Sequence, residues 1–118
     1  MRGLEPDIGI ATSLIGSSKT RPKHLSAKQI IEKTAKHFRI PVDDILGPKR
    51  DKDIVVPRQV AMYMLRNELH LSFPKIAREL GRKDHTTAIH SVEKIQKESN
   101  FDPDIKLAIS EIKERLYA

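Results

Sequence analysis

The chain has 118 residues, a net charge of +6 and no cysteine. That length suits one domain with a modest core plus a tail, and the missing thiols exclude disulfides, thiolate metal sites and cysteine nucleophiles. No apolar run approaches the roughly 18 residues of a membrane span, and no basic-then-apolar leader opens the chain, so a cytoplasmic location is the default.

Residues 1–24 show no sustained hydrophobic period and are punctuated by Gly3, Pro6, Gly9, Gly16, Ser17, Ser18 and Pro22. They read as a flexible linker or the remnant of a preceding domain, ending in a basic stretch from Lys19 to Lys23. A domain is expected over 25–118. Ser26 with Gln29 has capping-box spacing, and Ile30, Ile31, Thr34, Ala35 and Phe38 recur at helical spacing until Pro41 stops the helix. Val42 to Leu46 is long enough for a short helical turn, ended by Gly47 and Pro48.

Lys49 to Asp53 reads as a charged loop, and Pro57 is expected in the first turn of the next helix, where its missing N–H does no harm. Val60, Ala61, Met64 and Leu65 give that helix a buried face. Ser72 caps another helix with Pro74 in its first turn, Ile76, Ala77 and Leu80 facing inward, and Gly81 as a left-handed terminator. Asp84 caps a longer helix to about Glu98, with Ala88, Ile89, Val92 and Ile95 as its apolar stripe. Asp102, Pro103 and Asp104 start a last helix lined by Ile105, Ile109, Ile112 and Leu116. Nothing alternates as a strand does, so the class is all-α, with five or six helices.

Two of these helices, about Ser72–Leu80 and Asp84–Glu98, are joined by a short turn containing Gly81, the spacing of a helix-turn-helix. Plain helix packing gives the same hairpin. The second helix separates the two readings. Its first turn crowds Asp84, His85, Thr86 and Thr87 together, and helix side chains lean toward the N-terminus, so these project past the tip. A carboxylate accepts from cytosine, threonine methyls pack on thymine methyls, and imidazole donates or accepts. Further along, His90, Ser91 and Lys94 share with Thr87 the face opposite Ile89 and Val92. His90 and Lys94 suit phosphates. Local capping and a solvated face are the bland readings.

Lys49, Arg50 and Lys52 form a second basic device. A loop arginine fits a narrow minor groove, where the potential is most negative. Arg58 and Gln59, expected at a helix N-terminus, suit a phosphate held with free backbone N–H groups. Asp51 and Asp53 offset part of this field. His85 and His90 lie five apart, which does not put both on one face for a metal, and no metal site is expected. The basic balance favours a polyanionic partner but does not by itself separate DNA, RNA and acidic lipid.

Three segments together carry a resemblance: Arg50 followed by Pro57-Arg-Gln-Val-Ala-Met62, then Ser72-Phe-Pro-Lys-Ile76, then Lys83-Asp-His-Thr-Thr-Ala-Ile-His90. They closely resemble the C-terminal DNA-binding domain of the bacterial replication initiators of the DnaA family, over about Lys23 to Ala118. The resemblance implies a Trp-repressor-like helical bundle with a helix-turn-helix. It also implies binding to short asymmetric A·T-rich boxes in origin DNA. On matched positions it implies that Arg50 reads the minor groove and that Asp84, His85 and Thr86 read bases in the major groove, with Thr87 beside them. Lys52, Arg58, Gln59, Arg66, Pro74, His90 and Lys94 then contact the DNA backbone, and the charges of Lys49 and Lys83 are expected to do the same.

The family's turn usually reads Gly-Gly-Arg-Asp, whereas here Arg82 and Lys83 replace a glycine and an arginine. Lys83 keeps the charge but loses a bidentate fork, so affinity or base preference is expected to depart from the family's at this turn. No phosphate-cradling Gly-x-x-x-x-Gly-Lys-Ser/Thr loop is present, so ATP is expected only of a longer initiator and no cofactor is expected in this chain.

One domain on one asymmetric site suits a monomer, and a small-molecule ligand is not expected. The alternative is a Trp-repressor-like transcription regulator, which needs a dimer and a ligand pocket. A third reading uses Lys28, Lys33 and Lys36 on the polar side of the first helix to meet acidic phospholipid, here a secondary partner. No nucleophile–base set or carboxylate pair points to an enzyme.

Overall fold

The computed structural model describes residues 25–117, and the linker expected over 1–24 lies outside them. Six helices follow in order: α1 (Ala27–Phe38), α2 (Val42–Leu46), α3 (Lys52–Leu69), α4 (Phe73–Glu79), α5 (His85–Glu98) and α6 (Pro103–Tyr117). No strand occurs among the described residues, as the all-α expectation requires.

The helix starts follow local chemistry. Ser26 Oγ accepts from the Gln29 N–H while the Gln29 side chain accepts from the Ser26 N–H, closing the capping box at α1. Ser72 Oγ accepts from Lys75 N–H at α4, and Asp102 Oδ1 accepts from Asp104 and Ile105 N–H at α6. The end of α1 is set before Pro41. Arg39 turns left-handed (φ 59°) and its N–H reaches back to Ala35 and Lys36, so Pro41 serves as the N-cap position of α2.

One expectation fails at α3. The helix begins at Lys52, not at Pro57, because the Asp51 carbonyl already accepts from both Ile54 and Val55 N–H at 2.8 Å. Ile54 is buried by that early start. Pro57 therefore sits in the second turn and removes one ladder bond, to the carbonyl of Asp53, a solvent-exposed residue. Of the charged loop expected over 49–53, only residues 49–51 remain outside a helix.

Helix α3 is the central element, packed against α1, α2, α4 and α5, while α6 lies on α1 and touches α5. Ile30, Ile45, Val60, Met62, Met64, Leu65, Ile76, Leu80, Ala88, Ile95 and Ile112 are fully enclosed. Aliphatic side chains and methionines dominate this core. On α6 the apolar face is Ile105, Ala108, Ile112 and Leu116, while Leu107 points outward. The end of α6 is tied to α3 by the Tyr117 hydroxyl, which donates to Glu68, and by Lys113 at 3.7 Å from the same carboxylate.

Candidate nucleic-acid interface

The turn between α4 and α5 is built by Gly81 and Asp84. Gly81 adopts φ 69°, a left-handed conformation that needs no Cβ, and a Cβ there would also stand only 3.2 Å from the Leu46 carbonyl oxygen. Asp84 Oδ1 accepts from the Thr86 N–H at 2.8 Å and starts α5. That N–H bond, then the Thr86 hydroxyl and the nearby His85 and His90, hold the Asp84 carboxyl below the usual carboxylate range. His85, Thr86 and Thr87 are exposed beyond the cap, and Ala88, Val92 and Ile95 are buried behind them. The tip is thus polar and accessible on a packed base.

His90 and Lys94 are exposed on the outward face of α5, as expected. Ser91 is not: it is buried, and with Thr87 it lines a cleft toward α3. Lys83 is exposed in the turn, Pro74 in the first turn of α4, and Lys52 at the first position of α3. Lys49 is exposed but paired with Asp44 at 3.2 Å. Arg66 is partly committed. Its Nη1 donates to the Leu71 carbonyl at 2.8 Å, and its guanidinium lies 4.5 Å above the Phe73 ring.

Arg58 departs most from expectation. It lies well inside α3, not at a helix N-terminus with free N–H groups, and its side chain is buried. Nε donates to the Ile45 carbonyl at 2.8 Å, and Nη2 to the carbonyls of Asp44 and Gly47 at 3.0 Å. Helix α2 has only five residues, so its last carbonyls have no helical partner. Arg58 satisfies them and places a cation at the negative end of α2. Burial first, and the charge of Arg82 second, lower the Arg58 pKa, though not enough to discharge an arginine near neutral pH.

A second arginine meets the same loop, which sequence reading missed. Arg82 Nη2 donates to the Gly47 carbonyl at 2.6 Å. The partners are 35 residues apart in the chain, so no local pattern marks them. The structure thereby brings the basic loop and the start of α5 together. Pro48, Arg50, Arg58, Gln59, Arg82, Thr87 and Ser91 line one cleft of about 290 Å³, with Val55 and Met62 as apolar lining. Gln59 is among its lining residues, and the Gln59 amide oxygen is buried without a hydrogen-bond partner. Arg50 is exposed and makes no hydrogen bond or ion pair among the described residues.

A Gly-turned helical hairpin with an exposed polar tip and a basic loop beside it defines a helix-turn-helix domain. Residues 27–95 match the family described as the bacterial DnaA protein helix-turn-helix. The chain belongs to that family. It is 50% identical over 92 residues to the chromosomal replication initiator protein DnaA of Enterococcus faecalis, a match covering 78% of this chain and 21% of the relative. It is 39% identical over 112 residues to that of Lactobacillus delbrueckii subsp. bulgaricus, covering 93% and 25%. A solved crystal structure of a DNA replication initiation factor superposes with a TM-score of 0.66 at 32% identity, over 76% of this chain and 29% of that one. The chain thus spans about a quarter or less of the length of these curated relatives.

Proposed function

We propose that this chain is a sequence-specific module for double-stranded DNA that acts in the initiation of chromosome replication. One observation carries the reading. The exposed tip of α5 and the basic loop, separate in sequence, border one arginine-lined cleft. A duplex laid across it meets Asp84, His85, Thr86 and Thr87 in the major groove and Arg50 in the adjoining minor groove.

Lys49, Lys52, Gln59, Arg66, Pro74, Lys83, His90 and Lys94 face the flanking phosphates, which position the protein and make affinity salt-dependent. Arg58 acts behind this surface by shaping the loop. The cleft's three arginines suit an anion better than the apolar corepressor of a transcription regulator. One copy occupies one asymmetric site, and binding requires no ATP and no other cofactor. Chromosomal DNA places the protein in the cytoplasm, on the nucleoid. No helix among the described residues is long and apolar enough to cross a membrane. The apolar face of α1 is spent on the core through Ile30, Ile31 and Ala35, so any secondary contact with acidic phospholipid is electrostatic, through Lys28 and Lys36.

Selection of bound duplexes from a random pool at 150 mM salt tests the reading. Enrichment of a short, asymmetric, A·T-rich box without ATP is the expected result. Equal retention of selected and scrambled duplexes overturns it.

A further inference from the structure

The basic loop and the helix-turn-helix turn share one backbone atom. The Gly47 carbonyl oxygen accepts from Arg82 at 2.6 Å and from Arg58 at 3.0 Å, which uses both of its lone pairs. The two donors differ in kind. Arg58 is buried and also holds the carbonyls of Asp44 and Ile45, so its place is fixed by the packing of α2. Arg82 is half-buried, its one hydrogen bond among the side-chain contacts goes to Gly47, and it stands two residues before Asp84.

The contact extends to the neighbouring residue. Gly81 lies so close to the Leu46 carbonyl that a Cβ would come within 3.2 Å. Turn and loop therefore touch along consecutive residues, Gly81 and Arg82 against Leu46 and Gly47. Beyond Gly47 the path to Arg50 is short and stiff. Pro48 has a fixed φ, and only Lys49, whose exposed ammonium lies 3.2 Å from Asp44, separates it from Arg50.

We propose that Arg82 is a positioning residue: by holding the Gly47 carbonyl it fixes where Arg50 stands relative to the tip of α5, so that minor-groove and major-groove reading engage the duplex in one register. This rests on the DNA-binding reading above. It assigns Arg82 no contact with a base. Its effect on specificity passes through Arg50.

The test is a set of equilibrium titrations of the full chain against the selected box, with A·T pairs exchanged singly for G·C or inosine·cytosine. The guanine amino group obstructs the minor groove, whereas inosine lacks it and presents the same major groove. Pairs at which Arg50→Ala abolishes the preference for inosine·cytosine are the loop-facing ones. There the wild type prefers inosine·cytosine about tenfold. Arg82→Ala and Arg82→Gln bring that ratio close to one, Arg82→Lys recovers most of it, and Arg82→Ala adds no further loss to Arg50→Ala. Thermal melts accompany each titration, and Arg82→Gln carries the test if the alanine variant melts early.

An unchanged ratio with uniformly weaker binding makes Arg82 an ordinary phosphate contact and overturns the inference alone. A wild type that binds box and scrambled DNA equally overturns the DNA-binding reading and the inference with it.

Discussion

The tip of α5 and the loop that faces it are both rich in polar and charged residues, yet they spend them differently. At the tip, His85, Thr86 and Thr87 are exposed, and among them and Asp84 the capping bond is the main internal commitment. At the loop, Arg58 and Arg82 point inward and donate four hydrogen bonds to main-chain carbonyls, three from Arg58 and one from Arg82. The first region leaves its side chains accessible, whereas the second spends its arginines on the main chain while Arg50 stays exposed. Charge alone therefore does not identify a contact with nucleic acid. A cation counts toward the interface only to the extent that donors remain unspent, as some do on Lys49 and Arg66.

Arg58→Ala breaks this comparison most severely. It removes a buried cation together with its three bonds and leaves the carbonyls at the end of α2 without partners. The expected cost is about 3 kcal/mol of folding stability, read by urea denaturation. Arg50→Ala, by contrast, should leave the denaturation midpoint in place and weaken DNA binding. If Arg58→Ala folds as stably as wild type and only weakens binding, Arg58 belongs with the tip and the distinction collapses.

Removing His85 sharpens the comparison from the other side. His85→Ala takes away an exposed side chain, so stability should stay within about 0.5 kcal/mol of wild type. Binding to the selected box should lose about 2 kcal/mol and selectivity at one base pair, with little change on scrambled DNA. Titrations against both duplexes decide it. Equal losses on the two would make His85 a backbone contact.

The tip was legible in the sequence and the brace was not, for a physical reason. Capping by Ser26, Ser72 and Asp84 and the left-handed Gly81 are set by residues within a few positions of one another, and all stand where the sequence puts them. Pro57 misled because the rule for proline at a helix start is local, while the true start depends on the Asp51 carbonyl and the burial of Ile54. Arg58 and Arg82 satisfy main-chain carbonyls 11 to 35 residues away, and a carbonyl has no letter in the sequence. One clue was present. A five-residue helix ending at Gly47-Pro48 leaves carbonyls that some donor must meet. Arg82, read in the sequence only as a departure from the family's turn, in the structure donates to the Gly47 carbonyl.

Asp84 belongs to both regimes, and its variants give the smallest and finest separation. Oδ1 accepts the capping bond that starts α5, and in the DNA-binding reading the same exposed carboxylate also meets a base. Asp84→Ala loses both roles and should lower the thermal midpoint by a few degrees. Asp84→Asn keeps an acceptor for the Thr86 N–H, so its midpoint at pH 7 should stay near wild type, while its base preference changes because an amide donates as well as accepts.

Acid adds an independent reading. The carboxyl is held below its ordinary value, chiefly by the Thr86 N–H. The ionised cap therefore stabilises the fold fully above the unfolded-state value of about 4 and loses that contribution as pH falls through the folded-state value beneath it. Melts at pH 7 and pH 3 should show wild type falling toward Asp84→Ala in acid, while Asp84→Asn lacks this titration. If Asp84→Asn retains both its midpoint and its base preference, the carboxylate serves only as a cap, and the reading tip begins at His85.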